Sequence, residues 1–163
     1  MTIPELNSLD RPAFVDAVGS VFEQSPWVAN RAWLARPFAD VDALHAAMKT
    51  EVERATFAEK LALLKAHPDL GSRAKLAKAS AEEQAGAGLN NLSPGELDRL
   101  GRLNSAYRSR FGFPFLLAVR GSSMADILRQ LQARLNSPPE DEFREALNQV
   151  YRIARFRLET LVA

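Results

Sequence analysis

Residues 137–163, SPPEDEFREALNQVYRIARFRLETLVA, carry the longest helical pattern in the chain. Phe143, Leu147, Val150, Ala154 and Leu161 recur at helical intervals and trace one apolar stripe, with Ser137 and Glu140 placed to cap its start. Arg157 falls on the same stripe, whereas Arg152 and Arg155 share a solvated face with Asn148 and Glu159. A buried arginine is costly unless it is paired or binds an anion. Two uses stay open for Arg157. One is a structural ion pair or a snorkelling side chain. The other is a bidentate clamp for a carboxylate or carbonyl, which a planar guanidinium suits.

The same grammar repeats upstream. Asp10 and Pro12 open a helix whose stripe is Phe14, Val18, Val21 and Phe22. SPWVANRAWLARPF (25–38) is a short helix bounded by Pro26 and Pro37. Val41, Leu44 and Met48 mark another. TFAEKLALLKAH (56–67) opens with a capping box, Thr56 to Glu59, and stops at His67 because Pro68 disfavours α geometry in its predecessor. Ser93, Pro94 and Glu96 start a helix with the stripe Leu97, Leu100, Ala106/Tyr107 and Phe111, and SSMADILRQLQARLN (122–136) is the next. FPFLLAVRG (113–121) is the one strand-like stretch; without a partner it reads as an extended buried segment. The expected fold is all-α: a single domain over 1–163 with about seven to nine helices.

Composition sets the outer limits. The chain has 163 residues, 47% apolar and 25% charged, with a net charge of +1 and no one-sign block. That fits one soluble domain and argues against nucleic acid as a partner. Zero cysteines exclude disulfides and most structural zinc patterns. No apolar run approaches the ~20 residues of a membrane span. MTIPELNSLDRP lacks the plan of a signal peptide, and TLVA is not a peroxisomal address, so the cytoplasm is the expected location.

Three further features stand out. His67, before Pro68 and two residues from Asp69, has a plain reading as a solvated histidine at a negative helix end. Its other reading is an imidazole oriented by Asp69 that exchanges protons near neutral pH. In SAEEQAGAGLNNL (80–92), Ser80 and Glu83 form a capping box, which alone explains both; the GAG triplet lacks the spacing of a nucleotide loop. In FGFPFLLAVRG (111–121), Gly112 closes the preceding helix and Pro114 forces Phe113 out of α geometry. The amides that follow must find partners, either within the protein or on a ligand carbonyl or oxyanion.

SPWVANRAW, VDALHAAM, LLKAHPDLGSRA, SAEEQAGAGL, LNSAYRSRFGFPFLLAVRG and IARFRLETL, in that order, resemble the OHCU decarboxylase family of urate degradation. OHCU is 2-oxo-4-hydroxy-4-carboxy-5-ureidoimidazoline, the unstable product of hydroxyisourate hydrolysis. The resemblance implies an all-α, cofactor-free enzyme without a metal, usually a homodimer, that converts OHCU to S-allantoin and carbon dioxide. It implies catalytic roles for His67 and Glu83. Substrate contacts fall to Pro68, Ser80, Gln84, Phe113, Arg157 and, less directly, the amides near Ala118 and Val119. Gly71 and Ser72, after HPDL, are where variation is expected. A non-catalytic helical interaction module would need neither Arg157 on an inward stripe nor an HPD turn. Another cofactor-free lyase or hydrolase of a small ureido compound would use the same residues.

Overall fold

Local capping decides where the helices begin. In the computed structural model, residues 1–71, 78–86, 88–89 and 92–163 are described, without the side chains of 78–81. Among the described residues there are nine α-helices and no strand: α1 Ile3–Ser8, α2 Arg11–Val18, α3 Trp27–Ala32, α4 Val41–Arg54, α5 Phe57–Lys65, α6 Lys78–Gly86, α7 Pro94–Phe111, α8 Met124–Arg134 and α9 Pro139–Leu161. Capping boxes close the starts of α1, α5, α7 and α8, where Thr2, Thr56, Ser93 and Ser123 pair with Glu5, Glu59, Glu96 and Asp126. The expected cap of α9 is displaced. The first helical bond runs from the Glu142 N–H to the Pro138 carbonyl, so Ser137 lies outside the helix, and its carbonyl accepts from Arg110 instead. Among the described residues no helix is long and apolar enough to cross a membrane.

The contacts cluster into two units, 1–66 with 151–163, and 67–150. In the first unit, Phe14, Phe22, Leu44, Met48 and Leu63 are fully buried, as are Ala154 and Leu158 from the end of α9. Leu158 is fully buried, whereas Leu161, expected on the inward stripe, is 40% exposed as the last residue of α9. Polar ties lock the loops. Trp33 donates from its indole to the Leu9 carbonyl, and Arg36 lies over the Trp33 ring while donating to the carbonyls of Asn7 and Leu9.

His45, on α4, has Nε2 2.8 Å from the Tyr151 carbonyl, the geometry of a donating Nε2–H. Burial pushes its pKa below the ordinary 6.5, against the opposing pull of that carbonyl. The unfolded chain therefore takes up the proton more readily than the folded one. Stability from this group is complete above the unfolded value and falls as pH drops through it. The expected result is a lower urea midpoint at about pH 5.5 than at about pH 7.5, with the difference reduced in His45→Gln.

The second unit is organised by α7. Leu100, Asn104 and Tyr107 form its buried row, and Gly112, at φ 80°, closes the helix with a left-handed cap. Residues 113–119 follow with every side chain buried and no regular structure; the non-helical buried segment expected over 113–121 is two residues shorter, because Arg120 and Gly121 are exposed.

Candidate functional site

The segment 113–119 has backbone groups that no helix satisfies, so the second unit supplies buried side chains for them. The Ala118 N–H donates to Gln149 Oε1 at 3.0 Å, and Gln149 Nε2 donates to Glu145. The Leu116 carbonyl accepts from Arg134 Nη1 at 2.6 Å. Arg134 Nε and the Tyr107 hydroxyl both donate to Glu142 Oε1, at 2.6 and 2.5 Å. Burial, then the hydrogen bond to Glu142, pushes the Tyr107 pKa upward, so the hydroxyl stays a donor. Phe113 meets Tyr107 edge-on with centroids 5.9 Å apart, and Arg134 lies over Phe115 at 4.4 Å. The Ala118 amide, expected to be available to a ligand, is thus engaged by Gln149. Val119 is buried, and its carbonyl accepts from Ser122 as the chain turns.

The HPDL turn is the second component. The C-cap of α5 is Ala66, one residue earlier than expected. His67 follows and is only 5% exposed, so the solvated helix-end reading fails. Pro68 beside it is half-buried. The turn is tied at three successive residues. Asp69 pairs with Arg108 at 2.9 Å, the Leu70 carbonyl accepts from Asn104 Nδ2 at 2.9 Å, and the Gly71 N–H donates to Gln84 Oε1 at 3.0 Å. Asp69, expected to orient the imidazole, points its carboxylate at Arg108 of α7.

Gly71, expected to tolerate variation, does not. Its φ is +73°, and a Cβ there would sit 2.6 Å from Leu100 Cδ2, against a side chain packed in the core. Gly71→Ala should lower stability by about 1–3 kcal/mol, read as a reduced thermal midpoint.

On α6, Gln84 is buried and Glu83 half-buried. An N–H can only donate to the amide oxygen, so the bond from Gly71 fixes the Gln84 amide orientation. Its Nε2 makes no hydrogen bond among the described residues. Ser80 lies inside α6 as its third residue and not at its cap; its side chain, and the expected capping box with it, lies outside the described residues. The turn 67–71, α6 and the segment 113–119 all belong to the second unit, so His67, Pro68, Glu83, Gln84, Phe113, Ala118 and Val119 share it.

Arg157 belongs to the first unit, where it is buried on α9 as its stripe position predicts. Its Nη1 donates to Glu23 Oε2 at 2.9 Å, and Glu23 is equally buried. The sequence reading missed Glu23, Asn104, Arg134, Glu142 and Gln149. Four of them sit on buried helix rows, where the signal that flagged Arg157 would have found them.

The sequence profile of the family described as OHCU decarboxylase matches residues 7–159. A 2-oxo-4-hydroxy-4-carboxy-5-ureidoimidazoline decarboxylase from Halalkalicoccus jeotgali is 45% identical over 161 residues, covering 99% of this chain and 92% of its own. One of the same name from Haloferax volcanii is 46% identical over 158 residues, covering 97% and 94%. Among solved structures, an (S)-allantoin synthase superposes with a TM-score of 0.80 at 33% identity. That match takes in 99% of this chain but 54% of the longer synthase chain.

Proposed function

The chain belongs to the OHCU decarboxylase family, and from that premise we propose that it decarboxylates OHCU to S-allantoin and carbon dioxide, as a carboxy-lyase. The observation that carries this reading is near-full-length identity of 45–46% to relatives that bear that name.

The chemistry is a bond cleavage that needs a place for an electron pair. The C–CO2 bond breaks, and its pair passes through the ring carbon toward the neighbouring C=N. A proton neutralises the ring nitrogen that received the pair, and a second arrives at the adjacent carbon as the hydroxyl proton leaves and the hydroxyl carbon becomes a carbonyl. In sum, one carboxylate and one proton give carbon dioxide and an N–H bond, while the hydroxyl proton is replaced by one on carbon. No electron-sink cofactor or metal is invoked, because the substrate ring takes the pair itself.

Donors aimed at the developing charge are what such a reaction requires. His67, on a turn tied at three successive residues, handles the hydroxyl proton or turns the carboxylate out of its solvated state. Glu83 and His67 together control proton delivery to one face, which gives the S product. Gln84 offers its Nε2–H donors to the ureido carbonyl, with Ser80 as a second hydrogen-bonding group. Pro68 and Phe113 form apolar wall, and the Val119 region presents backbone. Arg157 keeps its assignment as a clamp on carboxylate or carbonyl oxygens, with Glu23 setting the orientation of its guanidinium. The proposed assembly is a homodimer of single 1–163 domains in the cytoplasm, with a small-molecule substrate and no nucleic-acid or membrane partner. A net charge of +1 supports the absence of nucleic acid.

The test generates the labile substrate in place from urate with the two upstream enzymes. The protein is added and the circular dichroism of allantoin is followed. Spontaneous decay gives racemic product, so faster appearance of an S signal is the expected result. An unaccelerated, optically silent trace would sink the proposal.

A further inference from the structure

We infer that Asn104 is a positioning residue for the reaction proposed above, acting on His67 through the carbonyl of Leu70. The inference rests on that reading of His67, but its geometry stands apart from it. Asn104 lies mid-way along α7 between Leu100 and Tyr107, 5% exposed, with Nδ2 2.9 Å from the Leu70 carbonyl. Only the amide nitrogen can donate to a carbonyl oxygen, so the side chain has one allowed orientation. In that orientation Oδ1 is buried and, among the described residues, without a hydrogen-bond partner. Buried polar atoms are nearly always satisfied, and an exception calls for a reason. Here the amide spends its donor on the turn and leaves its acceptor unpaired. Fixing the turn is what this arrangement achieves.

Leu70 is three residues from His67, and Pro68 between them locks one of the few backbone torsions that could absorb a shift. Pinning the Leu70 carbonyl therefore pins the imidazole. The other two ties are less able to do this alone. The Asp69–Arg108 pair is partly exposed and contributes little on its own. Gln84 reaches the turn only at Gly71, one residue further from His67. Asn104 is the buried tie nearest to His67 that comes from the long helix α7.

The chain contains two histidines, so the prediction can be read directly from the imidazoles. His45, in the other unit, serves as the internal reference. Ring proton and nitrogen resonances are assigned with His45→Gln and followed against pH in the wild-type protein, in Asn104→Leu and in Asn104→Ser. The serine variant is smaller and still polar; it cannot span the distance to Leu70 and guards against a leucine variant that does not fold. The expected result is a displaced His67 titration with the His45 course unchanged. In the allantoin assay kcat should fall by ~10-fold or more, with KM changed less than about 3-fold, as for a misplaced acting group. His67 resonances that titrate as in the wild type would overturn the inference, as would a raised KM at unchanged kcat. If the wild-type protein fails to accelerate the reaction, the proposed function falls, and the imidazole titration alone decides whether Asn104 positions His67.

Discussion

His67→Ala is expected to abolish most of the accelerated, S-selective release of allantoin, lowering kcat by about 100-fold or more. General acid–base groups typically contribute 10²–10⁴ in rate, and no second histidine is close in sequence to take the role. The imidazole is buried on a turn whose next residues are tied to α6 and α7, so its removal leaves those ties intact. Far-ultraviolet circular dichroism should therefore stay unchanged while the optical signal of product grows slowly. Since the uncatalysed decay is racemic, the variant should also lose stereoselectivity in proportion to its rate. Retention of rate in a folded His67→Ala protein would remove His67 from its role.

The second large effect concerns the buried pair that Arg157 of α9 makes with Glu23. Arg157→Ala takes a guanidinium away from Glu23, with both side chains less than one-tenth exposed. Removing one partner of such a pair costs about 3–5 kcal/mol, while replacing both by apolar residues of similar volume is often neutral. In urea denaturation Arg157→Ala should unfold at a much lower midpoint, and the double variant Arg157→Met/Glu23→Leu should recover most of the loss. Failure of the double variant to recover would mean that the pair is not the main interaction of either group. Arg157→Lys separates stability from binding, because it keeps the charge and loses the planar fork. Calorimetry with allantoin should then detect weakened affinity at near-normal stability. Unchanged affinity would contradict the clamp.

These two positions were not equally legible in the sequence. Arg157 announced itself because a cation on an apolar helical row must be compensated. Its partner did not, since Glu23 follows a short 3-10 turn, where no periodicity assigns an inward face. Helices were legible at the local caps Thr56–Glu59 and Ser93–Glu96, although α1, with its equally local Thr2–Glu5 box, was too short to show an apolar stripe and was missed. Helices were misplaced where the cap was not local: α6 begins before Ser80, and α9 begins after Ser137. The segment 113–119 was recognisable as non-helical from Gly112 and Pro114. The fate of its amides was not, because Arg134 and Gln149 reach it from helices 18 and 31 residues away in sequence. Gly71 could not be judged from its neighbours either, since its constraint is a contact with Leu100. Sequence thus conveys the closures that span three or four residues, and leaves to coordinates those that span dozens.

The four capping boxes have a consequence for how the chain acquires its fold. Each is closed between residues three apart, so the entropy of forming it is small and does not wait for a core. The starts of α1, α5, α7 and α8 can therefore flicker into place in the denatured ensemble, giving early local order. Asn104 and Tyr107 then ride on a helix whose first turn is already defined, and their partners at Leu70 and Glu142 come to a partly prepared surface. Domains dominated by such near-neighbour contacts fold quickly for their size.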